Sequence, residues 1–508
     1  MKRALFGFFS ASLWLVIPTI AQADDFPPGA AHDVVAQACT QCHGAEIVTS
    51  QHMTAEAWSD TVKQMISNGA HLSAGDFSGV ISYLAQHFGP ISIPPGGVAA
   101  TSPLLPPTYP QIIWRTTEGL SIDTRWPEKQ DDAPEFSGQT RAPFHASAPY
   151  RVTIVTDKLI RPWALGFLPA GKMLVTERLG TMVIVDAHGN VSAPLAGVPP
   201  VVSEGGQGGL LDVVLDPHFL VNHRIFFSYD QPAGPQVGVD RGGAQSAIAI
   251  GRATLDEDAG ALKDLKVIFV AKPAISIKLY PTKQGSRIAI GGDGNLYVTV
   301  GDRDSAQLPP WNVAQSLRSD LGKIIRITPD GKPANGNPFA DVTDALPEIW
   351  AIGTRSQEGL TFDSKGQLWE VEDGPRGGDE LNIIDKGKNY GWPTVTHGID
   401  YPGWEIGDGI TQKNGMEAPR YYWDPTIAPS GLTFYHGDLF PSWKGDLLVG
   451  GLRGNILDRL TISADNRVIS EEPLLTELHQ RIRDVRVGPD GAVYVLTDTT
   501  MLLRITPR

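Results

Sequence analysis

From Tyr150 to the C-terminus one pattern of polar and apolar positions recurs: a turn rich in Gly or Asn, then a short apolar run. It is written LPAGKMLVTER, LVNHRIFFSYD, GGDGNLYVTVGD, DSKGQLWEVED, PSWKGDLLVGG and GPDGAVYVLTD. Short strands bounded by turns and repeated at long, uneven intervals predict a mainly β fold, a six-bladed β-propeller with four strands per blade. The intervening TMVIVDAHG and KIIRITPDG supply secondary strands. A pair of β-sandwiches would also use short strands. No Pro/Ser linker separates the copies, however, so one closed ring over 149–508 is favoured. The uneven spacing gives some blades long loops, where sites on rigid scaffolds are built.

Upstream the period changes. TAEAWSDTVKQMIS has helical spacing, with Trp58, Val62, Met65 and Ile66 on one side. SAGDFSGVISYLAQHF opens on a capping Ser73 and groups Phe77, Val80, Ile81 and Leu84. A small all-α domain is therefore expected over 24–90. Residues 91–148 open on PISIPPGGVAATSPLLPPTYP, which is proline-rich and aperiodic, and read as a semi-rigid linker. Their irregular polar continuation is expected to lie over one of the two domains.

The first 23 residues read as a secretory signal: a basic start at Lys2 and Arg3, an apolar core, and Ala21-Gln22-Ala23 as a cleavage site. The mature chain is then expected in the periplasm, and no later segment is apolar and long enough to cross a bilayer. Charged residues at 19% and hydrophobic ones at 41% fit a folded soluble protein. The formal net charge of −14 argues against a nucleic-acid partner, whose phosphates need a basic surface.

The chain has two cysteines, Cys39 and Cys42, both in CTQCH. Thiols at this spacing can add to the vinyl groups of haem, with His43 as an iron ligand; a redox C-x-x-C is the competing reading. Export and the surrounding helical pattern favour haem c. The helical region resembles a small class I cytochrome c, which implies an axial Met before the last helix. Met65 fits that place, and Met53 is the alternative.

Several polar, Gly-rich segments break the strand pattern: EGGQGGLLDVVLDPHF, TKQGSR, GTRSQEGLTF, EDGPRGGDELNIIDKGKNYGWP, DPTIAPSGL, GGLRGN and QRIRDVRVGPDG. Each adjoins a repeat strand, and propeller loops of this kind meet at one end of the central channel. Arg355, Arg453, Arg481 and Arg483 would then converge, and grouped buried cations need a counter-anion. A polyanionic ligand follows.

GGQGGLLDVVLDPHF, GSRIAIGGDGNLYVTVGDR, LGKIIRITPDG, RSQEGLTF, DELNIIDKGKNYGWP, TIAPSGL and QRIRDVRVGPDGAVYVLTD together resemble the soluble PQQ-dependent sugar dehydrogenases (glucose/sorbosone and aldose sugar dehydrogenases) over nearly the whole propeller. The resemblance implies pyrroloquinoline quinone (PQQ) and Ca²⁺ in the central channel. Arg453, Arg481 and Arg483 would face the carboxylates of the quinone, Arg355 its reactive carbonyl, and Gln207 both cofactor and substrate, with Gln307 near the pocket. Gly374 and Pro375 would offer backbone oxygens to Ca²⁺, and Glu380 and Tyr390 match a second, structural Ca²⁺ position; hard oxygen donors suit that ion. The implied reaction oxidises a sugar, or a related alcohol or aldehyde, by hydride transfer to PQQ. Electrons then pass to the haem and on to a downstream acceptor.

One departure stands out. The family's basic His, four residues before the Arg of the GSR-type motif, is Lys283 here, with Thr282 before it. Ser356 and Thr354 also depart from the family pattern, as does Arg453, which stands where a Lys is usual. A lysine, with a reference pKa of about 10.4, is a poor base near neutrality unless burial and neighbouring cations lower it. Lys283 is thus either a neutral base or a cation paired with a carboxylate such as Glu358, and His397 is a substitute base from another loop. In the second case the protein would bind a ligand or partner with altered or lost dehydrogenase activity.

Overall fold

The computed structural model describes residues 26–39, 48, 55–67, 72–73, 75–89, 98–99, 112–203, 207–233, 245–276, 282–304, 312–401 and 403–508. Six antiparallel sheets form a ring. Their innermost strands are Pro162–Phe167, Leu210–Leu215, Gly285–Ile290, Gln357–Phe362, Pro429–Phe434 and Ile482–Val487, numbered here as blades 1 to 6. Each packs on the next, and the sixth packs on the first. The expected six-bladed propeller is the observed fold. Each of the six turn-strand copies lands on the second strand of its own blade, from Met173–Glu177 in blade 1 to Val493–Thr497 in blade 6.

The ring is closed by the strand that precedes it. Tyr150–Thr156 adds to the last strand, Leu502–Pro507, with Val152 opposite Ile505. Blade 6 therefore joins both ends of the propeller, and the terminal strand cannot leave without breaking two ladders. Blade 1 has three strands rather than four among the described residues.

The inner strands correct one expectation. GGLLDVVL, the GSR of TKQGSR, QEGLTF and RIRDVRV belong to segments expected to lack strand pattern, yet they lie in the inner walls of the channel. Each inner strand has a register break near its start, for example Gly285/Ile288 and Gln357/Gly359. Such bulges re-aim side chains. The strands also carry buried polar groups that pair across the channel. Arg287 is the main tie: its Nη1 donates to Asp484 at 2.9 Å, Nη2 to Arg483 O at 3.1 Å and Nε to Glu358 O at 2.6 Å. Its guanidinium also lies 4.0 Å from the Trp163 ring centroid. One blade-3 side chain thus links blades 1, 3, 4 and 6 and fills the channel beneath its mouth.

Among the described residues three helices precede the propeller: α1 (His32–Cys39), α2 (Ala55–Ser67) and α3 (Phe77–His87). Trp58, Val62, Val80 and Leu84 are buried together with Val35 and Phe88, as the helical spacing predicts. The Trp58 indole donates to Phe88 O at 2.8 Å, which pins α2 to the end of α3. Ser73 does not cap α3 directly. Its Oγ accepts the Asp76 N–H at 3.2 Å in the turn before the helix.

Within the expected linker, residues 112–148 lie on the propeller. Arg141 donates to Asp424 O at 2.6 Å, the backbone amides of Glu128 and Lys129 donate to the Asp424 carboxylate, and Gln139 donates to Pro419 O. The segment is a strap across blades 4 and 5. Among the described residues no helix is long and apolar enough to cross a membrane.

Candidate active site at the channel mouth

In a four-stranded antiparallel blade, the loop entering the inner strand and the loop joining the second and third strands open at the same end. The first kind carries Arg161, Gln207, Lys283, Arg355 and Arg481. The second kind carries Arg178, Asp302 to Asp304, Gly374 and Pro375, Arg453, and Asp498. Every candidate in these loops therefore sits at one mouth, with Arg483 just below on its inner strand.

On the side of blades 5, 6 and 1 the mouth is crowded with cations. Arg483 Nε donates to Asp498 at 2.9 Å, and Arg481 Nε donates to the same carboxylate at 3.3 Å. Burial would raise the Asp498 pKa, but the charges of Arg483, Arg481, Arg161 and Arg178 outweigh it and hold the group well below the carboxylate range. One carboxylate thus feels the charge of four guanidinium groups and bonds to two of them. Burial, then Arg161, presses Arg178 below the usual arginine range, and burial also presses Arg481 down, aided by Arg483 against the pull of Asp498. Arg453 adds a further cation, with Nη1 donating to Thr426 Oγ1 at 3.2 Å. Arg161 and Arg178 are functional candidates that the sequence motifs missed. Their only signal was position: each stands in the same kind of loop as Arg355 or Arg453.

On the side of blades 3 and 4 the charges are matched. Lys283 Nζ bonds to Asp304 rather than to Glu358, whose cationic partner is Arg483 at 3.5 Å. The Lys283 backbone N–H donates to Gln207 Oε1 at 2.6 Å, so these two predicted residues do meet. Lys283, Ser286, Arg303 and Asp304 all have left-handed φ values between 52° and 83°, unusual for residues with a Cβ. Gly301 permits this corner: a Cβ there would stand 1.9 Å from Lys283 O. Asp302 accepts the Trp392 indole N–H at 2.8 Å, and burial raises its pKa against the charges of Lys283 and Arg355.

Arg355 Nη1 donates to Asp373 O at 2.6 Å and Nη2 to Tyr401 Oη at 3.3 Å, over the face of Trp392. Its buried Nε has no partner. His397 is committed elsewhere. Nδ1 bonds to Asp132 at 2.9 Å and the ring stacks on Tyr422.

The turn at Gly374 is rich in carbonyl oxygens. A Cβ on Gly374 would lie 2.2 and 2.5 Å from the carbonyls of Gly377 and Gly378. Below it Glu372 faces Glu380 and Glu370 faces Asn382 across two strands. Burial, then neighbouring carboxylates, pushes Glu370 and Glu372 well above the usual range. Burial also pushes Glu380 up to about 8, with Asp379 adding to it against the Asn382 bond. Carboxylates so placed call for protons or a cation. Tyr390 Oη is taken by Ile383 O and the Asp385 N–H, which leaves only its main chain for a metal. Among the described residues no three His, Cys, Asp or Glu side chains form a metal-holding group.

Cys39 ends α1, and burial raises its thiol to about 11; Met65 is half-buried on α2. Cys42, His43, Met53 and Gln307 lie outside the described residues.

The family model for glucose/sorbosone dehydrogenase matches residues 159–504. The chain is 41% identical over 368 residues to an aldose sugar dehydrogenase, YliI, of Escherichia coli, covering 72% of this chain and 94% of that protein. It is 26% identical over 417 residues to quinoprotein glucose dehydrogenase B of Acinetobacter calcoaceticus, covering 68% and 85%. The PQQ-bound aldose sugar dehydrogenase structure from Streptomyces coelicolor superposes with a TM-score of 0.54 at 27% identity, covering 71% and 99%.

Proposed function

Because the chain belongs to the glucose/sorbosone dehydrogenase family, we propose that it is an exported PQQ-dependent aldose dehydrogenase wired to its own haem c. The observation that carries this reading is the arginine side of the mouth, where the charges of four guanidinium groups together hold the Asp498 carboxyl well below its usual range. PQQ is a polycarboxylate, and its carboxylates would suit that cationic surface. Arg453, Arg481 and Arg483 would hold its carboxylates, and Arg355, with Nε free inward, would hold its reactive carbonyl. The Gly374–Pro375 carbonyls would hold Ca²⁺ beside it, and Glu380 with the Tyr390 main chain a second Ca²⁺. When bound, PQQ supplies a two-electron acceptor next to the sugar.

The protein's own part is positional. Arg355 and the arginine side orient the acceptor; Gln207 fixes the Lys283 backbone; Lys283, once it has passed its own proton to Asp304 and become neutral, would take the proton of the sugar hydroxyl. Cys39 and Cys42 would carry haem, with His43 and Met65 on the iron, in a periplasmic protein whose domains run 24–90 and 149–508.

The contact between Arg161 Nη2 and Thr61 Oγ1, 3.3 Å, supports electron passage from mouth to haem. It places α2 at the arginine side, one helical turn from Met65.

The test is reconstitution of the full chain with PQQ and Ca²⁺, followed by an aldose panel with the haem absorption as readout. Reduction by aldoses supports the proposal; PQQ binding without reduction by any sugar favours a second reading, ligand binding without oxidation. The Lys283–Asp304 pair favours that second reading, because an ammonium bonded to a carboxylate has no lone pair to accept a proton.

A further inference from the structure

The end of the ring opposite the mouth holds a cavity of about 600 Å³ between blades 4 and 5. It lies where the turns joining first to second strands, and third to fourth, open. An inner strand's length therefore separates it from Arg355. Phe362, Phe434 and Ile462, all half-buried, make its floor, and the buried Trp369 ring meets Phe434 edge to face at 5.5 Å between centroids. The walls are held in place. Asn466 Nδ2 donates to Gln367 Oε1 at 2.9 Å, which ties the turns of the two blades together. Asp363 accepts the N–H groups of Lys365 and Gln367 at 2.8 Å and the Trp369 indole N–H at 3.2 Å. Small-molecule sites range from about 300 to about 1,000 Å³, and this cavity falls within that range.

The charges around the cavity are uneven. Lys444 is bonded to Asp438 at 2.6 Å, and the Asp363 carboxylate is taken up by its own turn. His436 Nδ1 bonds to the Phe434 carbonyl at 3.2 Å. Lys365 is different. It is exposed and reaches from blade 4 to blade 5, where its ammonium donates to two neutral oxygens, Ala464 O and Asn466 Oδ1, both at 3.5 Å. Bonds of that length are weak, and among the described residues no carboxylate pairs with this lysine. A ligand carboxylate would replace them with a shorter, charge-assisted bond. One available cation above an apolar floor suits a single negative charge on a flat apolar body. A phosphate dianion would call for a second cation, and Lys444 is already committed. We propose that this cavity is a second ligand site, which binds an aromatic carboxylate with its ring on Phe434 and Ile462 and its anion on Lys365. The site is separate from the mouth, and its ligand needs neither PQQ nor a sugar.

The experiment titrates the full chain calorimetrically with 2-naphthoate and with its neutral counterpart, 2-naphthamide. Lys365→Gln removes the cation at an exposed position, so the variant is expected to fold. Arg481→Ala/Arg483→Ala, and the wild type saturated with PQQ, control for binding at the mouth. The expected result is one naphthoate per chain, with affinity about tenfold weaker in Lys365→Gln and unchanged in both controls. Naphthamide should bind the wild type about tenfold more weakly than naphthoate does, and should not distinguish wild type from Lys365→Gln. Absent naphthoate binding would overturn the proposal, as would equal naphthoate affinity in wild type and Lys365→Gln. Displacement of naphthoate by PQQ, or its loss in the arginine variant alone, would assign the anion to the mouth and overturn it as well.

Discussion

The two sides of the channel mouth hold their charges in opposite ways. At blades 5, 6 and 1, the charges of Arg161, Arg178, Arg481 and Arg483 all act on Asp498. At blades 3 and 4, Lys283 is met by Asp304, with Asp302 beneath it. A buried surface dense in guanidinium groups suits an anionic ligand, so the arginine side reads as a binding surface. A matched pair costs little and gives no chemistry until it opens. The mouth therefore separates what holds the acceptor from what must move the proton.

The largest expected effect comes from removing the Asp498 carboxylate on the arginine side. Asp498→Asn should lower stability by about 3 kcal/mol, because Arg481 and Arg483 lose an anionic partner. PQQ should raise the melting temperature of this variant more than that of the wild type. Thermal melts with and without PQQ check this, and equal shifts would mean that the arginines do not face the ligand.

On the other side, Lys283→His should raise kcat by about 100-fold, a typical worth of a well-tuned general base. Unchanged turnover would mean that Lys283 already serves. Gly301→Ala addresses the same corner without altering its charges. The new Cβ must displace the Lys283 carbonyl, and kcat should fall about tenfold with PQQ affinity unchanged. A fall in affinity instead would merge the two sides into one unit.

The smallest effect lies in the connection between the second and third strands of blade 3. Asp320 is buried in blade 3, and burial, with Glu348 adding, raises it to about 7. The folded state keeps this proton while the unfolded chain loses it near pH 4. Stability contributed by the protonated group therefore falls as pH rises from about 4 to 7, then levels off. Asp320→Asn should flatten that slope by a few degrees in melting temperature between pH 5 and 7, with no change in PQQ binding.

The ring was legible because its second strands are short apolar runs after Gly or Asn turns, as in GGDGNLYVTVGD. The inner strands were harder. Buried Arg287 and Asp484 pair across the channel, Gln357 is buried on the adjoining inner strand, and bulges break the register, so these strands resemble loops in sequence. Arg355, Arg453, Arg481 and Arg483 were identified because motifs surround them. Arg161 in RPWALGF and Arg178 in ERLGTM carry no motif, and only the blade geometry brings them to Asp498. The partner of Lys283 was missed for the same reason: Asp304 lies in GDRD, and left-handed residues turn it back onto the lysine. The strap is aperiodic because its backbone bonds to loop carbonyls and to Asp424 instead of to a ladder.

The most direct measurement is a PQQ binding isotherm for the full chain in the presence of Ca²⁺, beside the same isotherm for Arg481→Ala/Arg483→Ala. The account predicts one PQQ per chain in the wild type and affinity weaker by about 100-fold in the variant, as expected for losing two charge-assisted partners. Absent binding in the wild type, or equal affinity in the two proteins, would contradict it.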